Sequence, residues 1–206
     1  MHELPPLRHR HRGTFVDVHH TILPRTGRLR PDPNELLQAV RPLSGTRCAV
    51  LAPTDMLLHS AAHLFQDGEL RTGLRDLVDM HLLVQEFGAD DAFWERLMAR
   101  ARTLGLARPL SYALRYCSRF LGTRVSRPFM EDGGPCRRAG AVLRVMDWLV
   151  ARSLLPHEPE APPGATRFAR RVLYMRSHWL RMPPHLLAPH LLRKAFARAS
   201  TARPHG

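Results

Sequence analysis

The stretch PTDMLLHSAAHLFQ (residues 53–66), followed by LRTGLRDLVDMHLLVQEF (70–87), decides the fold of this chain. In both segments apolar residues recur every three or four positions, which is the spacing of one face of an α-helix. Thr54 is a suitable N-cap, and Gly88 follows the second segment as a suitable stop. We therefore predict two consecutive amphipathic helices.

Further helices are predicted toward the C-terminus. One helix is predicted to begin at Asp90 or Asp91, and the next is predicted to end at Gly122. A break follows at 126–135, where Pro and Gly are frequent. The remaining predictions are a helix over 137–154, a Pro-rich linker over 156–164, and a basic helical extension over 165–206 with a break at Pro183-Pro184.

The N-terminal part is predicted to contain the β-structure. Residues 1–12 look like a flexible basic lead-in, and GTFVDVHHTIL (13–23) alternates as a strand does. A short helix over 34–43 with Asn34 as N-cap and a second strand over 47–52 complete this part. The fold class is thus an α-rich α+β fold, with a β remnant of one or two strands before a bundle of about six helices. The expected divisions are 1–12, 13–52, 53–155, 156–164 and 165–206.

The composition is that of one globular domain. The chain has 206 residues, of which 44% are hydrophobic and 24% charged. Its three cysteines are scattered, which argues against a disulfide framework and a zinc ribbon. Because no apolar signal region follows the basic first residues and no run of about 18 apolar residues exists, we expect a cytoplasmic protein without a transmembrane segment.

The formal net charge of +13 comes almost entirely from arginine, since Lys194 is the only lysine. Residues 51–100 are acidic overall, whereas 101–206 are strongly basic. The basic half could contact an acidic partner, a polyanion or an acidic membrane surface, or pack on the acidic middle of its own fold. We do not expect specific nucleic-acid binding, because the arginine excess is typical of a biased composition at ordinary surface positions.

Two groups of polar residues could bind a metal ion or take part in catalysis. In the predicted strand, Asp17 and His19 share a face and could bind a divalent metal or accept a proton, or could be the solvent side of an edge strand. In the first long helix Asp55, His59 and His63 form one polar stripe. The two histidines have metal-ligand spacing, but the metalloprotease glutamate is missing. Histidines that are hydrogen-bonded to neighbouring helices or line a cleft are the simpler interpretation.

A third group is LRDLVDMHLL, with Arg75, Asp76 and Asp79. Arg75 and Asp79 have the spacing of an intrahelical ion pair. We expect a buried Arg–Asp pair that joins helices, with a place at a substrate cleft as the alternative.

The sequence has no Walker A loop, GxGxxG, GxSxG or CxxC motif, which excludes the commonest NTPase, dinucleotide, hydrolase and redox interpretations.

Four segments, taken in order, resemble the uncharacterised bacterial nucleotidyltransferase family. They are VDVHH (16–20), LAPTDMLLHSAAHLF (51–65), LRTGLRDLVDMHLL (70–83) and the block from Phe93 to Gly122. The resemblance covers roughly residues 13–122 and implies a polymerase-beta-like core followed by helices. It implies a strand carboxylate at Asp17 that binds metal or acts as a base, an auxiliary histidine at His19, family histidines at His59 and His63, and the acid of an L-x-D pattern at Asp76.

The sequence departs from the resemblance at the catalytic motif. Such enzymes hold Mg²⁺ and the NTP through a paired Asp-x-Asp, which nothing upstream of Asp17 supplies. A late recorded start codon, a degenerate remnant, or completion of the site by a separate chain would each account for this. The resemblance implies that the complete family architecture transfers a nucleotide from an NTP to a hydroxyl acceptor. The DNA upstream of the recorded start codon would show whether a strand with Asp-x-Asp is encoded there. The alternatives are a non-catalytic helical binding module that uses its basic C-terminal half, and a membrane-peripheral protein.

Overall fold

The computed structural model of the chain describes residues 6–66, 70, 73–126, 140–154, 164–182 and 189. Over these residues it contains seven helices and two short strand pairs near the N-terminus, which confirms the predicted α-rich fold with a small β part. Most of the predicted break at 126–135, nearly all of the predicted linker, and the Pro183-Pro184 break lie outside the described residues.

The β-structure consists of two small antiparallel hairpins. Strand β1 (Leu7–Arg8) pairs with β2 (Phe15–Val16). Strand β3 (Arg41–Pro42) pairs with β4 (Ala49–Val50), so that Arg41 lies opposite Val50. The second hairpin places Arg41 near Pro53 and Thr54, where the helical part of the chain begins.

The strand predicted over 13–23 is much shorter than expected. Among the described residues only Phe15–Val16 forms a strand, and its partner is a two-residue strand from the segment expected to be a flexible lead-in. His19 adds an isolated β-bridge. Phe15 and Val16 remain 65% and 57% exposed. The alternation of apolar residues was present, but nothing in the described part of the chain covers Phe15 and Val16, and a strand without a covering layer does not extend.

Helix α1 (Pro33–Gln38) begins one residue earlier than predicted and ends five residues sooner. Its N-cap is Asp32, whose carboxylate accepts a hydrogen bond from the Asn34 N–H at 2.9 Å. The expected cap, Asn34, is inside the helix because Pro33, with its fixed φ and missing N–H, suits the first helical position.

Four helices form the centre of the bundle: α2 (Pro53–Gln66), α3 (Gly73–Phe87), α4 (Asp91–Thr103) and α5 (Ala107–Leu121). Helix α2 packs against the other three. Helix α2 also begins at Pro53, so the expected cap Thr54 is already helical. The side chain of Asp90 caps α4, and Gly122 ends α5 in the left-handed conformation at φ 64°, as predicted.

Two more helices, α6 (Gly140–Ser153) and α7 (Gly164–Arg181), pack on each other, and α7 also contacts α2. The loop before α1 closes onto the end of α7. The backbone N–H of Arg28 donates to the Leu180 carbonyl at 2.8 Å, and the Thr26 hydroxyl donates to the Arg181 carbonyl at 3.1 Å. None of the described helices combines the length and apolar character needed to cross a membrane.

Candidate functional site

The first turn of α2 places a buried carboxylate beneath the second hairpin. Asp55 is fully buried, with 0% exposure. Its two oxygens accept hydrogen bonds from Nε and Nη2 of Arg100 on α4, at 2.8 Å and 3.0 Å. This bidentate geometry matches the planar guanidinium to the carboxylate and compensates for the loss of water around both charges.

Arg100 also binds α1. Its Nη1 donates to Oε2 of Glu35 at 2.9 Å, and its Nη2 donates to the Glu35 carbonyl oxygen at 2.6 Å. The hydrogen bond with Asp55, followed by the other acidic contacts, raises the pKa of Arg100 above its ordinary value despite the opposing effect of burial. Arg100 is therefore a fixed cation that joins α1, α2 and α4.

An open cleft of about 410 Å³ lies over this arginine, between the second hairpin and helices α2, α3 and α4. Its lining contains three arginines, a threonine at the start of α2, two phenylalanines and two small apolar residues. These are Arg41, Arg96, Arg100, Thr54, Phe87, Phe93, Ala39 and Pro53. All charged side chains in this lining are cationic.

The two outer arginines of the cleft are available to a ligand. Arg41 is exposed. Arg96 has an ion pair with Asp90 at 3.3 Å, in which both side chains are 62% exposed. An exposed pair of this kind contributes little to stability, so an anion can replace Asp90 as the partner of Arg96. The cleft also faces the N-terminus of a 14-residue helix, which favours negative charge.

The aromatic side of the cleft is formed by Phe87 at the end of α3 and Phe93 at the start of α4. Their ring centroids are 6.3 Å apart. Phe93 is buried and Phe87 is half-buried. The cleft thus combines a cationic side with an apolar aromatic side, an arrangement that suits a ligand with an anionic part and a flat, less polar part.

A second buried ion pair joins α5 to α6. Asp147 accepts hydrogen bonds from Nε and Nη2 of Arg115 at 2.9 Å and 2.6 Å, and from Nη1 of Arg119 at 2.9 Å. The hydrogen bonds from Arg115 lower the pKa of Asp147 below its ordinary value, and burial opposes them. Burial raises the pKa of the adjacent Tyr116, and the charge of Asp147 raises it further. We interpret this cluster as structural, because it connects helices and does not line the cleft.

Asp17 and His19 lie outside the cleft lining. Both are exposed and follow β2 directly. Within the described part of the chain, no group of three or more His, Cys, Asp or Glu side chains could hold a metal ion. The described residues around Asp17 therefore do not fit the Mg²⁺ site that the resemblance implies.

His59 and His63 are close neighbours on α2, as their spacing predicts. Their ring centroids are 4.4 Å apart, and both side chains are half-buried. Asp55, the first member of the same stripe, points instead into the buried ion pair with Arg100. The stripe thus divides between a buried acid and two partly accessible histidines.

The buried Arg–Asp pair predicted among Arg75, Asp76 and Asp79 is not formed by Arg75 with Asp79. Both side chains are exposed, while Asp76 is half-buried. Asp79 borders a shallow hollow whose described lining comes entirely from α3. Arg–Asp pairs around a buried carboxylate do join helices in this fold, and two of them are Arg100–Asp55 and Arg115–Asp147.

Sequence reasoning missed Arg100 and the cleft. One signal was available: Asp55 directly precedes Met56, Leu57 and Leu58 at the start of a predicted helix, and a carboxylate that is buried with them needs a cation. The sequence has 31 basic residues, and nothing in their spacing selects Arg100 as its partner.

Cys117 is not a candidate nucleophile. It is buried in α5 near the Leu77 carbonyl oxygen, and burial raises the pKa of its thiol to about 12. At neutral pH it is a neutral, small apolar residue.

Comparison with known proteins gives one match. The sequence profile of a family described as uncharacterised nucleotidyltransferase matches residues 2–122. That range contains both hairpins, α1 to α5, and every residue that lines the cleft. No curated protein and no solved structure matches the chain. Since the match covers more than half of the 206 residues, the chain belongs to this family of uncharacterised nucleotidyltransferases.

Proposed function

We propose that this chain binds a nucleoside triphosphate in the arginine-lined cleft, as part of a system that transfers a nucleotide from the NTP to a hydroxyl acceptor. The observation that carries the proposal is the cleft itself, which lies within the family match and whose lining charges are all cationic. A triphosphate carries several negative charges, and guanidinium groups are well suited to its oxygens.

The parts of the cleft have separate roles in this proposal. Arg41 and Arg96 bind phosphate oxygens, and the Thr54 hydroxyl at the start of α2 donates to one of them. Phe87, which is half-buried and backed by the buried Phe93 ring, offers an apolar surface to the base. Arg100 contributes positive charge, but its main partners are Asp55 and Glu35, which fix its orientation.

The transfer step needs groups beyond the cleft. By resemblance, Asp17 would be a metal or base carboxylate and His19 an auxiliary group. Because the described residues around Asp17 do not form a metal site, we assign no step to Mg²⁺. Binding of the NTP, in contrast to the transfer step, can be tested on this chain alone.

A binding titration with each of the four common NTPs tests the proposal. Arg96→Ala is expected to weaken binding about tenfold, the usual effect of removing a hydrogen bond to a charged group. Arg102→Ala is the matched control, since Arg102 is also an exposed arginine of α4 but is absent from the cleft lining. Asp17→Ala should leave the NTP affinity unchanged. Absence of binding to any NTP, or equal losses in Arg96→Ala and Arg102→Ala, would refute a nucleotide site in the cleft.

A further inference from the structure

Helix α7 has two apolar faces, and only one of them is buried. Ala169 and Leu173 face the core, with 0% and 5% exposure. Phe168, Met175 and Trp179 are 58%, 64% and 47% exposed. They are seven and four residues apart, so they lie along one line on the helix. A single exposed apolar residue is ordinary, but an exposed line of three large ones is not.

The exposed line continues onto α6. The ring centroids of Trp148 and Phe168 are 6.4 Å apart, so the two helices share this surface. Val145, one turn before Trp148, is 58% exposed, and Trp148 itself is 43% exposed. We call the surface formed by Val145, Trp148, Phe168, Met175 and Trp179 the α6–α7 patch.

The surroundings of the α6–α7 patch are strongly cationic. Helices α6 and α7 together carry seven arginines and one acidic residue, Asp147. Asp147 is buried and paired with Arg115 and Arg119, so it does not offset the surface charge. Arg171 is exposed on α7, and the Arg152 guanidinium lies 6.0 Å from the centre of the Trp148 ring.

We propose that the α6–α7 patch binds the surface of a bilayer that contains anionic phospholipid. Tryptophan and phenylalanine with flanking arginines are the composition of interfacial membrane-binding helices. The arginines complement the lipid phosphates, while Phe168, Met175 and Trp148 enter the boundary between headgroups and acyl chains. The aliphatic members Val145 and Met175 favour a lipid surface over a single-stranded nucleic acid, because stacking of bases requires flat π-faces.

Co-sedimentation with vesicles tests the proposal on the full chain. We expect binding to vesicles with equal amounts of phosphatidylcholine and phosphatidylglycerol, little binding to phosphatidylcholine alone, and weaker binding as salt increases. Phe168→Ser should lower the partition coefficient about tenfold. Arg171→Gln should lower it about fivefold. Leu82→Ser is the control, because Leu82 is 54% exposed on α3, away from the patch.

Tryptophan fluorescence gives a second readout that locates the contact. Trp94 is buried at 6% exposure, whereas Trp148 and Trp179 are exposed. A blue shift on addition of anionic vesicles would therefore report the α6–α7 patch. The proposal is overturned if phosphatidylcholine vesicles bind equally well, or if Phe168→Ser behaves like Leu82→Ser. Binding of a single-stranded oligonucleotide in place of vesicles, lost in Phe168→Ser, would likewise overturn it and identify a nucleic-acid surface.

Discussion

At the scale of single residues, Arg100 determines how the N-terminal part meets the bundle. Its side chain is 18% exposed and is bound to two carboxylates and one backbone carbonyl from two other helices. A buried charge such as Asp55 is tolerated only with such a partner, because its desolvation would otherwise be uncompensated. The same arginine lines the cleft, so a change at Arg100 alters both the stability of the fold and the proposed ligand site.

Arg100→Ala is expected to destabilise the protein by about 3 kcal/mol, since it leaves Asp55 buried without a cation. The free energy of unfolding from urea denaturation measures this effect. Arg102→Ala, an exposed change in the same helix, should shift it by less than about 0.5 kcal/mol. Replacing Asp55 and Arg100 together by apolar residues should restore much of the loss; a double variant as unstable as the sum of both single variants would contradict the ion-pair account.

Asp147 predicts a pH dependence of stability. Its pKa is lower in the folded protein than its ordinary value of 3.8, mainly through the hydrogen bonds from Arg115. A depressed carboxyl pKa stabilises the folded state above the unfolded pKa, and this contribution disappears as the pH falls through the folded pKa. The free energy of unfolding can be measured from neutral pH to below 3.8. It should decrease less on acidification for Asp147→Asn than for the natural chain. If the free energy of unfolding depends on pH in the same way for both proteins, Asp147 has no such role in the pH dependence of stability.

At the scale of elements, the helices were largely predictable and the strands were not. In 53–66 and 70–87 apolar residues recur every three or four positions, which predicts a helix with one buried face. Helices α2 and α3 do bury such a face in the core. The cap at Asp90 and the stop at Gly122 are local effects of side chain and backbone, which a sequence displays directly. The length of β2 depends on a partner strand and a covering layer, which the alternation in 13–23 cannot reveal.

Gly88 tests the close packing at the end of α3. A Cβ atom there would lie 2.5 Å from the Val84 carbonyl oxygen and 3.1 Å from the Trp94 ring. The Gly88 carbonyl also accepts a hydrogen bond from the Trp94 indole N–H at 2.9 Å. Gly88→Ala should therefore destabilise the protein by about 1–3 kcal/mol, as overpacking does. Gly140→Ala is the control, because a Cβ atom there meets nothing within 4 Å; equal thermal stability of both variants would contradict the packing argument.

At the scale of the whole molecule, the N-terminal loop and α7 belong to one packed structure. The Arg28 guanidinium lies 4.3 Å from the centre of the Trp179 ring, and Arg28 also donates to two carbonyls at the end of α7. The sequence offered a basic C-terminal half with several conceivable partners. It could not show that α7 buries one face on the bundle and exposes another, because both faces carry apolar residues. The cleft was unpredictable for a related reason: its residues come from five separate elements or their flanking turns.

The proposed function requires that a nucleoside triphosphate occupies the cleft between the second hairpin and α2, α3 and α4. Amide hydrogen–deuterium exchange with and without saturating NTP tests it most directly, because the position of protection identifies the site. We predict slower exchange at the second hairpin around Arg41 and in the first turn of α2, and a weaker effect in Arg96→Ala. Protection confined to the segment around Asp17 and His19, or no protection in the cleft at saturating NTP, would contradict the account.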